Sequence, residues 1–391
     1  MALATGEING TGLERVIYGK PAAEAIAEEA AGRDARRVFL LVSQHLDSKT
    51  DEIATIRAAL GDRWAASHHG IRPHVPQSDI VTAAAKARAV DADLIVTIGG
   101  GSVTDAGKIL PICLQHDVTD VDRLYSLRIQ YDEQGRVQPP LFDPPAVRTI
   151  AVPTTLSGGE FNPLAGATQD GGHKKHGYKH RLLAPVTVVL DPRLARHTPE
   201  WLWLSTGVRA VDHAVETLVS THSNSYYAGI AESALGLLAQ GLTRVKAEPE
   251  DWQARLDCQF GVWQSMVPMI GGVPMGASHA IGHILGAVCH VPHGYTSCVM
   301  APFVQDWNAT VAREGQARIS RAFGQPDRPA AAVLDDFIAG LGLPRRLRDV
   351  GVEERHLPII AENTLHDIWG KTNPRPLTSA QDVMRILQAA M

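Results

Sequence analysis

Five histidines in the second half of the chain are of a type and spacing that could do chemistry: His213, then His279, His283, His290 and His293. His279 and His283 are four residues apart and so share one face of a helix. His293 lies in Pro292-His293-Gly294, which reads as a turn. Neutral imidazoles converging from separate helices can hold a divalent ion such as iron, zinc or nickel. A lone histidine is more often a satisfied core or surface residue. Four of them in an otherwise apolar stretch weaken that plainer reading. The spacing fits neither a zinc finger nor HExxH.

A second pattern points to phosphate. Gly99-Gly100-Gly101-Ser102-Val103-Thr104-Asp105-Ala106-Gly107-Lys108 follows the apolar run Leu94–Ile98. Glycines at a strand's end let the backbone approach a phosphate, and a following helix offers free N–H groups and its positive dipole end. The pattern is neither GxGxxG nor a P-loop. Phosphate binding is favoured over a plain strand-to-helix turn. A third segment, Pro153-Thr154-Thr155-Leu156-Ser157-Gly158-Gly159-Glu160, is dense in hydroxyls and glycine. It suits sugar, phosphate or amide groups of a nucleotide, and taken alone reads equally as a turn-rich connection.

The elements that must position these residues change character midway. Val38–Val42, Leu94–Ile98, Val147–Val152 and Val186–Leu190 read as strands. Between them fall helices: one capped by Ser48 or Thr50 and running to about Leu60, one capped by Ser78, and one from Ser102. That rhythm predicts a parallel sheet covered by helices. Residues 117–146, with VQPPLFDPP, read as a surface excursion. From Thr198-Pro199-Glu200 onward the pattern is helical, with amphipathic spacing over Ala228–Val245, Asp251–Ser265 and Ala330–Leu341. The expectation is an α/β domain over residues 1–195 and an all-helical domain over 196–391, with a ligand in the cleft between them.

Composition narrows the class. The chain has 391 residues, 45% hydrophobic and 20% charged, and a formal charge of −5. No global basic footprint marks it for nucleic acid or an anionic membrane. Four widely spaced cysteines form no CxxC, so neither a disulfide framework nor a cysteine zinc site is expected. The N-terminus shows no signal-peptide pattern, and no apolar run approaches the ~20 residues of a membrane span. A cytoplasmic protein is the expectation. Of the tryptophans in the helical half, Trp369 is the best candidate for a pocket rim.

The GGGSxxDxxK stretch, the PTT loop, the Gly207–Glu216 segment, the HxxxH…PHG segment and Asn373-Pro374-Arg375 occur in an order that resembles the iron-containing (group III) alcohol dehydrogenase superfamily over nearly the whole chain. The resemblance implies an N-terminal dinucleotide-binding α/β domain, a C-terminal helical domain for metal and substrate, and NAD or NADP with a divalent metal (iron, zinc or nickel) below the nicotinamide. It implies that Gly99, Gly100, Gly101 and Ser102 hold the pyrophosphate, that Asp105 and Lys108 complete that motif, and that Thr154, Thr155 and Ser157 line the cofactor. Lys174 would lie near the cofactor, His213, His279 and His293 would be metal ligands, and His283 would be near the substrate. A small-molecule substrate and a homodimer are implied in the same way.

One departure redirects the reading. The family's metal helix has Gly-x-Asp-x-x-x-His, and here Arg209 stands at the Asp position, four residues before His213. A guanidinium cannot ligate a cation and stays charged. The departure resembles the superfamily's metal-independent maleylacetate reductase branch. Arg209 could grip a substrate carboxylate, or turn away and pair with Asp212 or Glu216. His283 is the candidate proton donor. The Leu156-Ser157-Gly158-Gly159-Glu160 loop and the long link from Lys108 to Pro153 differ from that branch's usual pattern. After Val42 the chain reads Ser43-Gln44-His45, with no acid until Asp47, so a ribose 2′-phosphate is not repelled. The other readings are a metal-dependent alcohol dehydrogenase, a non-redox synthase or lyase of the same fold, and a non-catalytic nucleotide-binding homologue.

Overall fold

The computed structural model describes residues 8, 10–133, 137–138, 140–171 and 175–391. The chain divides into two compact units, Asn9–His197 and Thr198–Met391.

The first unit is built on β1 (Arg15–Tyr18), β2 (Val38–Val42), β3 (Trp64–His68), β4 (Leu94–Gly99), β5 (Arg148–Pro153) and β8 (Thr187–Leu190), paired in the order β1-β8-β5-β4-β2-β3. Every pairing in this sheet is parallel. β6 (Leu164–Thr168) and β7 (Lys175–Lys179) form a separate antiparallel hairpin. β2, β4 and β8 are buried along their whole length. Their near-continuous apolar sequences follow from being covered on both faces. Phe39, Leu41 and Ile95 pack with Ile80, Ala84 and Ile109, from the helices Gln77–Ala89 and Gly101–Gln115. The alternate residues Val38, Leu40, Leu94 and Val96 pack with Ile26, Ile53 and Ile56, from the helices Ala22–Gly32 and Glu52–Leu60. The two-residue period of the strands thus feeds two cores.

The structure decides three local expectations. Thr50, not Ser48, serves the Glu52–Leu60 helix: it ends the short Gln44–Lys49 helix, and its hydroxyl accepts the Glu52 N–H at 3.3 Å, while the intervening Asp51 makes no side-chain cap bond. The Gln77–Ala89 helix is entered through Pro76, and the Ser78 hydroxyl donates to Asp170. The 117–146 excursion is anchored: it includes the Val121–Ser126 helix, and Leu124, Leu127 and Phe142 join the core.

The second unit is helical, with no strand among its described residues. Its central helix, Glu200–Val219, is buried without interruption from Trp203 onward. The helix therefore carries Arg209, Asp212, His213 and Glu216 into the interior. Pro199 sits at the cap of this helix rather than at its first position. The helices Ala277–Cys289 and His293–Asn308 pack beside it or beside each other, and the short Ile368–Thr372 helix packs on the former. No described helix is long and apolar enough to cross a membrane.

Candidate functional sites in the two units

In the first unit, the C-terminal ends of the adjacent parallel strands β2, β4 and β5 bring Ser43, Gly99–Ser102 and Thr154–Ser157 together. The Ser43 N–H donates to the Ile98 carbonyl at 2.8 Å, and the Thr154 N–H to the Gly99 carbonyl at 3.0 Å. A Cβ at Gly100 would lie 3.0 Å from Thr155 Cγ2, and one at Gly101 3.1 Å from Ser157 Oγ. The glycine run is thus set by close approach of the hydroxyl loop as well as by any ligand. Thr155 Oγ1 and Ser157 Oγ are 3.2 Å apart. Gly158 turns the loop with φ 75°, in the left-handed region open to glycine. The Gly101–Gln115 helix begins here, so unbonded backbone N–H groups and hydroxyls face one sheet edge, the place where open α/β sheets bind their ligands. This cradle fits a dinucleotide pyrophosphate.

Lys108 and Asp105 require a correction. The side chain of Lys108 has no exposure, and its Nζ donates to the carbonyls of Gly159 at 2.8 Å, Asn162 at 3.2 Å and Leu164 at 2.5 Å. Its Nζ is also 3.1 Å from Asp105 Oδ1. Asp105 Oδ2 accepts from the Gly166 N–H and from Lys175. All these donors are engaged within the protein, so the pair braces the loop and does not reach a phosphate. Beside it Glu160 is buried, its Oε2 has no partner, and burial pushes its carboxyl up to about 7. Lys174 lies outside the described residues.

The second unit assembles a buried ionic cluster. Arg209 is 4% exposed, and its Nη1 donates to Ser297 Oγ at 3.1 Å and to Thr296 Oγ1 at 3.4 Å. Its Nε is buried with no acceptor. Asp212 Oδ2 accepts from Ser297 Oγ at 2.7 Å and Ser278 Oγ at 2.6 Å. Arg209 and Asp212 are therefore linked through the Ser297 hydroxyl and not by the direct pair that their i,i+3 spacing suggests. Glu216 accepts from the N–H groups of Gly276 at 2.7 Å and Ser278 at 2.8 Å, and its Oε2 lies 2.7 Å from His279 Nδ1.

The electrostatics follow from burial. Burial pushes the Asp212 and Glu216 carboxyls up to about 7, against the pull of Arg209. The N–H donors on Glu216 and the Ser278 and Ser297 hydroxyls on Asp212 favour the ionised forms and oppose the effect of burial. Burial lowers Arg209 to about 10, opposed by Asp212 and Glu216, and it remains a cation at neutral pH. Burial, together with Arg209, drives His213 and His279 well below the ordinary histidine value, so both rings are neutral.

His213 and His279 come together, their rings stacked 4.8 Å apart. His293 is placed beside His283 instead, the two rings nearly parallel at 6.2 Å. The side chain of His283 is 37% exposed, and its Nδ1 lies 2.9 Å from Asp367 Oδ2. Trp369 packs 4.9 Å from His283 and edge-on 5.7 Å from His279. Ser278, Ser297, Thr296 and Asp367 escaped the sequence reading. Hydroxyls leave no periodic signal, and Asp367 is 84 residues from its partner His283.

Among the described residues, Asp212, Glu216 and His279 offer donor atoms that lie within 4.8 Å of one another. Only His279 belongs to the ligand set suggested by the sequence. Asp212 Oδ2, both Glu216 oxygens and His279 Nδ1 already make hydrogen bonds within the cluster, whereas Asp212 Oδ1, His213 Nδ1 and His279 Nε2 are buried with no partner and are the atoms that would hold a divalent ion. The Arg209 charge offsets the carboxylates in the same pocket.

The model described as iron-containing alcohol dehydrogenase matches residues 14–192, and that of the Fe-containing alcohol dehydrogenase family, C-terminal, matches residues 203–391. The dehydrogenase ALT3 of Alternaria alternata is 35% identical, with 89% of this chain and 98% of that protein covered. Maleylacetate reductase 2 of Cupriavidus pinatubonensis is 30% identical, with coverage of 96% and 94%. The crystal structure of maleylacetate reductase from Agrobacterium tumefaciens superposes with a TM-score of 0.83 at 25% identity, covering 100% of this chain and 99% of that one.

Proposed function

The chain belongs to the iron-containing alcohol dehydrogenase family and is an oxidoreductase, and from that premise we propose that it uses NADH or NADPH to reduce a small unsaturated or carbonyl-bearing carboxylic acid, in the manner of a maleylacetate reductase. The observation that carries this reading is the buried Arg209, whose Nε has no acceptor in the protein. A guanidinium has five N–H donors in a planar fork that matches a carboxylate. The relatives named maleylacetate reductase support an acid as substrate.

The dinucleotide, when bound, supplies the hydride. Ser102, the backbone at Gly99–Gly101, and the hydroxyls of Thr154, Thr155 and Ser157 hold and orient it. Arg209 binds a substrate carboxylate and stabilises negative charge that develops beside it, the electrostatic part that a metal would otherwise play. His283 donates the proton. The first acid after β2, Asp47, is already engaged by Arg57 at 2.7 Å and His69 at 2.8 Å. It is thus not poised to repel a 2′-phosphate, and use of either dinucleotide follows.

The test is the oxidation of NADH and NADPH with maleylacetate and with simple aldehydes, before and after chelation, alongside elemental analysis of the protein. Turnover of the acid that survives chelation is the expected result. Stoichiometric iron, zinc or nickel with activity lost on chelation would overturn it in favour of a metal-dependent alcohol dehydrogenase.

A further inference from the structure

Asp367 divides its two carboxylate oxygens between two tasks. Oδ1 accepts the backbone N–H of Trp369 at 2.9 Å, and so caps the Ile368–Thr372 helix. Oδ2 lies 2.9 Å from His283 Nδ1. The capping bond fixes the carboxylate, and the carboxylate then fixes the ring. Trp369, held by the same cap, lies 4.9 Å from that ring at 37°, and His293 lies nearly parallel to it at 6.2 Å. The side chain of Asp367 is only 15% exposed, against 37% for His283. The ring is therefore anchored on its protein side and reachable on the other.

We infer that Asp367 is a positioning residue for His283, holding the proton on Nδ1 so that Nε2 is the atom that exchanges protons with substrate. The inference rests on the proposed role of His283 as proton donor. An ionised carboxylate only accepts hydrogen bonds, so the nitrogen facing it must carry hydrogen. In the imidazolium form, Nε2–H is then the acid. A bound reduced dinucleotide would supply the hydride for a C–H bond at the electron-poor carbon, and the C=C or C=O π electrons would then move to oxygen. That enolate or alkoxide oxygen takes the Nε2 proton, the N–H bond breaks, and the ring becomes the neutral Nδ1–H tautomer still bonded to Asp367. Solvent returns a proton to Nε2. Throughout, the Nδ1–H···Oδ2 bond persists, as a buried carboxylate does for a catalytic histidine elsewhere.

The test compares Asp367→Asn and Asp367→Ser with His283→Gln and the double variants, in the full-length protein with NAD(P)H and an accepted acid. Asn and Ser both retain an oxygen that can cap the helix at Trp369, so the melting temperature should be unchanged. The expected result is a fall in kcat of about a hundredfold in either variant with KM changed less than about threefold, since orientation and tautomer are lost rather than binding. Ring ¹⁵N spectra should show the His283 resonance, identified by its loss in His283→Gln, moving from the Nδ1–H to the Nε2–H tautomer in Asp367→Asn. In the His283→Gln background the Asp367 substitutions should cost nothing more. Loss of kcat in His283→Gln with wild-type kcat in Asp367→Asn would overturn this inference alone. Full activity of His283→Gln would overturn the proton-donor reading and this inference with it. An equal, additive loss from Asp367 in both backgrounds would show that it does not act through His283.

Discussion

Glu216 Oε2 and His279 Nδ1 meet at 2.7 Å, joining the Glu200–Val219 and Ala277–Cys289 helices inside the second unit. The same carboxylate accepts the N–H groups of Gly276 and Ser278, so a side chain from one helix caps the start of another. The cap sets the chemistry of His279. With Nδ1 donating to Glu216, Nε2 is left as a buried lone pair with no partner. His213 stacks on the same ring with its own Nδ1 unpartnered. Two buried, unpartnered ring nitrogens, two carboxyls and one guanidinium thus lie together inside the second unit.

Arg209→Met tests the assignment of that guanidinium. Removing this cation leaves the buried Asp212 and Glu216 carboxyls without their counter-charge and costs about 3–5 kcal/mol, so the melting temperature should fall and the kinetics are measured well below it. Turnover of a carboxylated substrate should fall by about 100- to 1,000-fold in kcat/KM, while an aldehyde without a carboxylate should change less than about threefold. Steady-state kinetics with the two substrates decides it; equal losses on both would mean that Arg209 serves only the local hydroxyl network.

Glu160 gives a pH-dependent stability signature. Burial raises its carboxyl from the ordinary glutamate value of 4.5 to about 7. The folded protein therefore holds a proton that the unfolded chain releases between those values. The resulting stability is present below pH ~4.5 and lost as pH rises through ~7. Glu160→Gln lacks this loss. Its stability relative to wild type should rise across that window and level off above it, by on the order of 3 kcal/mol. Denaturant melts of both proteins from pH 4 to 8 would show a constant difference if the carboxyl were solvated when ionised.

Lys108→Met should damage the loop before it damages the chemistry. It leaves three carbonyls without their donor and Asp105 without its nearest cation. Breaking such a buried pair costs about 3–5 kcal/mol. The dinucleotide KM should rise with kcat little changed. A lysine that touched the pyrophosphate would instead weaken binding with no loss in melting temperature.

Gly107 tests the close packing that sets the glycine motif. A Cβ there would lie 2.0 Å from Thr97 Cγ2. Gly107→Ala should destabilise by about 1–3 kcal/mol through overpacking, and Thr97→Ser, which removes that methyl, should restore most of it. A double-mutant cycle in urea reads the coupling; additive effects would mean that the helix shifts as a body.

The strands at Val38–Val42 and Leu94–Ile98 were legible because a strand buried on both faces must be apolar at nearly every position, while which residues face which core was not, since a continuous apolar run shows no alternation. The glycine run after β4 was legible too, and so was the arginine at position 209, which excludes a ligand by its chemistry alone. Helix caps were less legible: Ser48, Thr50 and Ser78 all carry the right hydroxyl, yet only Thr50 accepts an N–H at the start of its helix, and Pro76 took the place expected for Ser78.

What the sequence by itself determined is therefore the family, the parallel-sheet and helical halves, and the residue types at each motif, since periodicity and side-chain chemistry act over a few residues. Partnership was decided by tertiary structure. Arg209 reaches Ser297 rather than Asp212, Lys108 reaches three backbone carbonyls rather than a phosphate, and His293 lies beside His283. Asp367 finds His283 across 84 residues. Spacing along one helix fixes which groups share a face, but a buried donor or acceptor must be satisfied by whatever the packing brings opposite, and that depends on elements far away in the chain.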